Sequence, residues 1–349
     1  MPGAPATMGQ GCRGAPLTTR ARYFAFAVAL ILSLATDVRA QPSKTARVGV
    51  LASSTEANFG PNVKVFREAL GAAGWVEGRN LTLHVRYAGE QYARLPELAA
   101  ELVRLEVDVL VSLGTPATLA AHRATTTIPI VMESLADVVG TGLVPNLARP
   151  GGNITGASGF APELSGKRLE LIHEMLPRAA RIAVLTNRAN PATAPVLRAT
   201  ESAAVTMRMK LRVLDVRSPA DLGPAFETMH RERADALILA ADPLLFAERL
   251  TIIQLAARHR VPAVYESRRF AENGGLLSYG PLEQERFQRL SLYVDRILRG
   301  ARPGDLPIEQ PTTFELVVNL KAAGALGLTM PQSLLRRADE VIREGPSRP

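Results

Sequence analysis

Polar side chains stand in short clusters directly after apolar, β-branched runs, and those clusters are where this sequence could do chemistry. In the first half they are Ser53-Ser54-Thr55, Gly114-Thr115-Pro116 and Glu133-Ser134 with Asp137. In the second half they are Thr186-Asn187 with Asn190, Asp242-Pro243 and Tyr265-Glu266. Hydroxyls and backbone N–H groups at helix N-termini can hold a carboxylate or other anion, while Asp137, Asp242 or Glu266 could meet an ammonium group. The same residue types also cap helices and turns for their own backbone bonding. Both roles can coexist, because a cap leaves other N–H groups free. Tyr279 either stacks on a ligand or packs where the chain crosses between lobes.

Other kinds of machinery do not announce themselves. His84, His122, His173, His230 and His259 are scattered, with neither HxxxH nor HExxH spacing, so no metal site is expected. Ser158 lies in GASG rather than G-x-S-x-G, and no Gly-rich loop ends in Lys-Ser/Thr, so acyl- and phosphoryl-transfer sites lack their signatures. GTGLVP (140–145) begins like a dinucleotide fingerprint but ends in Pro145. No cofactor is expected.

The polar clusters need elements to position them, and the sequence supplies a regular alternation. RVGVLA (47–52), NLTLHVRYA (80–88), VDVLVSLG (107–114) and IPIVMES (128–134) are predicted strands separated by helices near 61–73, 92–105 and 116–124. A second series runs through RIAVLTN (181–187), LRVLDV (211–216), ALILAA (236–241) and VPAVYE (261–266), with helices at 191–207, 219–233 and 244–259. Helices at 162–175 and 283–299 flank that series. This pattern predicts an α/β chain of two doubly wound parallel-sheet lobes, with ligand at the carboxyl ends of the strands. PGGNITG, GGLLSYG and QPTTFELV are the expected crossings, with Gly152, Tyr279 and Thr313 as hinge residues.

Ahead of the alternation lies an export signal. Arg20 and Arg22 precede the apolar run YFAFAVALILSLAT (23–36), and Val38-Arg39-Ala40 offers a small-residue cleavage site before Gln41. The apolar run stops at about 14 residues, short of the roughly 20 a membrane span needs. Residues 1–40 are therefore expected to be a cleaved signal peptide, and the mature protein to be periplasmic. The only cysteine, Cys12, falls inside the leader, so stability must come from a packed core, which a 47% hydrophobic composition can build. The leader also carries a net +3 of the chain's formal +8, leaving +5 spread thinly over the mature part. With aromatics at 5% and no basic stripe, nucleic acid is not an expected partner.

Several longer segments carry a family resemblance: GWVEGRNL (74–81), LARPGGNITG (147–156), NPAT (190–193), ERADALIL (232–239), FAENGGLLSYGP (270–281), the tract 293–335 and RADEVI (337–342). In this order they resemble the exported substrate-binding proteins of the ABC transporter substrate-binding family, with relatives of tryptophan-type uptake proteins among them. The resemblance covers nearly all of the mature chain. It implies the type I periplasmic binding fold, with two α/β lobes, three crossing segments and a small-molecule ligand in the cleft. It also implies delivery of that ligand to an inner-membrane ABC permease driven by a cytoplasmic ATPase. Asp137 matches the family pattern, whereas Val138 stands where Pro is usual, and Thr186 and Arg188 where Tyr or Asn and Pro are common.

The resulting expectation is a monomeric solute receptor without catalysis, binding an amino acid or another carboxylated compound. The N-terminal lobe should comprise residues 44–158 plus 281–315, and the C-terminal lobe 159–280 plus 316–343, with 344–349 a flexible tail. Ser54, Thr115, Ser134 and Asp137 are the expected ligand contacts of the first lobe; Asn187, Asn190, Asp242 and Tyr265 are those of the second. The alternatives are a secreted enzyme using Asp137, Asp242 or Glu266 as acid/base groups, and a sensory receptor that does not transport. A cytoplasmic repressor of the same fold is disfavoured, because the N-terminus carries a signal segment where a DNA-binding headpiece would stand.

Overall fold

The computed structural model describes residues 45–134, 137–159 and 163–343. The leader expected over 1–40 and the tail expected over 344–349 lie outside the described residues.

The first lobe follows from five strands, all buried along most of their length except the edge strand Leu81–Tyr87. β1 (Ala46–Ala52), β2 (Leu81–Tyr87), β3 (Val109–Leu113), β4 (Ile130–Ser134) and β5 (Ile154–Ser158) form one parallel sheet in the order β2-β1-β3-β4-β5. Its crossover helices are α1 (Glu56–Ala72), α2 (Leu95–Arg104) and α3 (Thr115–Ala124). Continuous apolar strands such as Val109–Leu113, buried at every position, are what helices on both faces require. Two separate hydrophobic clusters line the two faces of the sheet. α1 starts five residues earlier than its proline suggests. Pro61 lies within it, and the N–H groups of Asn58 and Phe59 close the first turn on the Thr55 carbonyl.

The second lobe repeats the scheme. α4 (Glu163–Met175) leads into β6 (Arg181–Thr186), α5 (Thr193–Thr206), β7 (Lys210–Asp215), α6 (Leu222–Arg231) and β8 (Ala236–Leu239). Then come α7 (Pro243–Ala247), α8 (Arg249–Arg258), β9 (Ala263–Tyr265), α9 (Arg268–Glu272) and β10 (Leu277–Pro281). The helix expected over 244–259 is thus two helices, the first capped by the Asp242 side chain.

From β10 the chain returns to the first lobe as α10 (Glu283–Leu298). Its Phe287, Leu290, Tyr293, Val294 and Ile297 recur every three to four positions and bury against the first sheet. That stripe contributes on the order of 10 kcal/mol. Trp75 Nε1 donates to Asp295 Oδ1 at 2.8 Å and fastens the helix to its lobe.

A third passage brings the chain back as β11 (Phe314–Asn319), α11 (Leu320–Leu326), α12 (Gln332–Arg337) and β12 (Glu340–Ile342). The second sheet runs β12-β11-β10-β9-β8-β6-β7, parallel throughout except between β10 and β11. That exception is forced: a chain that leaves at the carboxyl end of β10 and re-enters at the same edge must run down the next strand in reverse. Pro281, Phe314 and Glu315, expected in the first lobe, are therefore ladder residues of the second sheet.

The crossings lie between Ser158 and Glu163, around Leu282, and from Glu309 to Thr313. The first and third run side by side, with Ser158 N donating to Glu309 O at 2.9 Å and Glu309 N to Gly156 O at 3.0 Å. Thr313 belongs to the third crossing, and Tyr279 lies on β10 just before the second. Gly152 is placed elsewhere. It precedes β5, in an exposed turn beside Gly304 within the first lobe, while the chain leaves that lobe only at the other end of β5.

Close approach at the second crossing demands a glycine. A Cβ on Gly280 would lie 1.8 Å from the Glu266 carbonyl oxygen. Gly280→Ala is expected to displace the end of β9 and to cost about 2 kcal/mol of stability, as overpacking does. A urea midpoint equal to that of the parent would contradict this contact.

Candidate functional site

The strand order of each sheet has a switch point, where crossovers leave in opposite directions and open a crevice at the carboxyl edge. In the first sheet it falls between β1 and β3, and in the second between β6 and β8. The two carboxyl edges face one another across a cavity of about 120 Å³. Ser54, Gly114 and Thr115 line it from the first switch point, and Asn190, Asp242 and Pro243 from the second. Gly114, at φ +92°, lets its loop pack closely on the one after β1: a Cβ there would sit 2.8 Å from Ser53 Oγ.

Asp242 is the hub of the second-lobe side. Its Oδ1 accepts from Leu244 N at 2.8 Å, Leu245 N at 3.2 Å and Asn187 Nδ2 at 3.3 Å. Its Oδ2 accepts from Asn190 Nδ2 at 2.8 Å and from Tyr92 Oη, across the cleft, at 3.1 Å. Burial pushes the Asp242 pKa up, against the pull of these donors. Burial and the neighbouring Asp242 charge push the Tyr92 phenol up as well, so it remains a donor. Five donors occupy the carboxylate, which makes Asp242 an N-cap and a fastener between lobes rather than a partner for a ligand ammonium.

Further bonds join the lobes at the mouth. Arg249 Nη1 donates to Asn58 Oδ1 at 2.9 Å, and Arg269 donates to Asn58 O and Asn62 Oδ1, both at 3.3 Å. Both guanidinium groups lie over the Phe246 ring, at 5.0 and 5.5 Å from its centroid. Phe59, Phe246 and Phe287, with Leu164 and Val196, give the cavity its apolar wall.

Its floor carries charge. Glu133, at the end of β4, accepts from Arg286 Nη1 at 2.7 Å and from Gly114 N at 3.2 Å. Glu283 accepts from Ser267 Oγ at 2.6 Å and pairs with Arg269 at 3.5 Å. Arg168, buried on α4, donates its Nε to the Tyr279 carbonyl at 3.0 Å, and burial pushes its pKa down. Glu266 is buried with Oε2 unpartnered, and burial pushes its pKa up to about 7 even though Arg168 pulls the other way. Among the described residues no group of three or more His, Cys, Asp or Glu could hold a metal ion.

Not all expected contacts converge on the cavity. Ser54, Thr115, Asn190 and Asp242 line it. Ser134 supports Thr115 through hydroxyls 3.1 Å apart, and Asn187 supports Asp242. Asp137 is turned to local use, accepting from Gly140 N at 2.8 Å in a turn off the cavity. Tyr265 is a correction. Side chains alternate along β9, so Tyr265 enters the lobe's core, stacked on Phe270 at 4.6 Å, and Glu266 takes the cleft side.

Comparison with known proteins bears on this geometry. The model of the ABC transporter substrate binding protein family matches residues 47–342. The chain belongs to that family. A curated relative, the tyrosine-binding protein of Clostridioides difficile, is 23% identical over 265 residues, 76% of each chain. A conserved domain protein from Vibrio cholerae is 29% identical, with TM-score 0.81 over 85% of this chain and 100% of that one. An ABC domain from Streptococcus pneumoniae, solved with L-Trp, is 24% identical, with TM-score 0.80 over 86% of this chain and 100% of that one. This family member therefore has the type I periplasmic binding fold, with the cleft between its two lobes.

Within that fold, sequence reasoning passed over Arg168, Arg286 and the asparagines Asn58 and Asn62, all of which sit on helices rather than in loops. A signal for Arg168 existed: in ELSGKRLELIHEM it stands four residues after Leu164 and four before Ile172, a cation inside the buried stripe of α4.

Proposed function

We propose that this protein captures a small amino-acid-like solute between its lobes in the periplasm and presents it to an inner-membrane ABC permease. The observation that carries the reading is the cavity itself, a mixed aromatic and charged space to which both carboxyl edges contribute and which bonds from lobe to lobe can shut. A solute that touches both lobes favours closure by as much as it binds the closed form better than the open one. Closure then becomes the signal. The tyrosine-binding relative supports an amino acid as cargo. Among the described residues no helix is long and apolar enough to cross a membrane, which suits a receptor that meets its permease from outside. The family match and the tyrosine-binding relative support reading the cleft as a binding site without catalysis.

The test is a thermal-shift scan of the mature protein, residues 41–349, against the twenty L-amino acids and a set of small organic acids. Ligand at a hundred times its Kd stabilises by about 2.7 kcal/mol, a shift of several degrees in Tm. A flat response across the whole panel sinks the reading.

A further inference from the structure

Six ionisable side chains line the cavity: Glu133, Arg168, Asp242, Glu266, Glu283 and Arg286. Four are spent on one another or on protein donors. Glu133 and Arg286 neutralise one another as a buried pair, Glu283 is held by Arg269 and Ser267, and Asp242 has its five donors. Arg168 and Glu266 remain. Both are buried, both reach the same cavity, and no ion pair within 4.0 Å joins them. Among the described residues the two terminal nitrogens of Arg168 carry no hydrogen bond, and Glu266 Oε2 has no partner.

Resting on the solute-capture reading above, we infer that Arg168 and Glu266 select the cargo, Arg168 taking the carboxylate and Glu266 the ammonium of one α-amino acid zwitterion. Two opposite charges held apart in a closed cavity each need compensation, since an unpaired buried ion is costly. A neutral solute compensates neither. A simple carboxylate satisfies Arg168 and leaves Glu266 facing a like charge; an amine does the reverse. A zwitterion satisfies both, and the guanidinium presents the planar fork that a carboxylate accepts. The remainder of the amino acid then meets the wall of Phe59, Phe246 and Phe287.

The groups that face Glu266 are Arg168 on α4, Asp242 ahead of α7 and Glu283 at the start of α10. With the carboxyl pushed up to about 7 in the empty cleft, capture of an ammonium requires its ionised form. Affinity for the amino acid should therefore fall about tenfold from pH 8 to pH 6, and this dependence should vanish in Glu266→Gln.

Calorimetric titration tests the assignment. The best L-amino acid of the panel is compared with its amine and its deaminated acid; for tyrosine these are tyramine and 3-(4-hydroxyphenyl)propionate. Each analogue is expected to bind at least 100-fold more weakly to the parent protein. Glu266→Gln should weaken the amino acid at least 30-fold while changing the deaminated acid less than threefold. Arg168→Gln should weaken the amino acid at least 30-fold, and Arg168→Lys, which keeps the charge and loses the fork, should recover part of that loss. Thermal melts check that each variant is folded. If an amino acid binds the parent and either analogue binds within threefold of it, or Glu266→Gln binds it unchanged, the assignment falls and solute capture stands. If no amino acid of the panel binds, both fall.

Discussion

Glu266→Gln is expected to raise the melting temperature of the ligand-free protein at pH 8 by several degrees and to leave it almost unchanged near pH 4. Burial holds the Glu266 carboxyl at about 7, well above its ordinary 4.5. Below pH 4.5 it is protonated whether the chain is folded or not, and it costs nothing. Between 4.5 and 7 the unfolded chain ionises while the folded one does not, so stability drains away as pH rises. By pH 8 about 3 kcal/mol has been lost. Glutamine is neutral throughout and escapes that loss, so the gap between variant and parent should open across this window. Calorimetric scans at pH 4 and pH 8 measure it; a gap of equal size at both would mean that Glu266 ionises as if in water. A binding residue that destabilises its empty site is an expected trade of stability for function.

Asp242→Ala is expected to lower the free energy of unfolding by about 3 kcal/mol. The substitution removes the cap of α7, worth about 1 kcal/mol, and strands Asn187, Asn190 and Tyr92 with two backbone N–H groups. Relief of the buried carboxylate offsets part of this. Urea denaturation measures the loss, and a change below 1 kcal/mol would contradict the hub. Tyr92→Phe isolates the bond between lobes. It should cost about 1 kcal/mol, which shifts the balance of shut and open forms about fivefold toward open, visible as a larger radius of gyration in solution scattering.

Much of the architecture was legible beforehand because strand and helix periodicities are local. The apolar runs at 47–52, 107–114, 181–187 and 236–241 are buried on both sides, and a run of that kind has few other places to go. Loops at the ends of those runs were the natural site candidates, and Ser54, Thr115, Asn190 and Asp242 do line the cavity. Misplacements came where a side chain's direction depends on its neighbours. Tyr265 and Glu266 differ by one position, and the pleat of β9 sends the first into the core and the second into the cleft. Gly152 looked like a crossing because its turn is rich in glycine, yet the crossing is set by where β5 stops pairing.

The sequence by itself determined two similar α/β halves, an ordered set of family segments and polar loops at the strand ends, since these depend on patterns within a few dozen residues. Only the tertiary structure decided which charges are left to a ligand. Glu133 and Arg286 are 153 positions apart, Tyr92 and Asp242 150. Pairing across such distances consumes some ionisable groups and spares Arg168 and Glu266. No local pattern records that outcome, because an ion's freedom is a property of what the rest of the chain brings within reach.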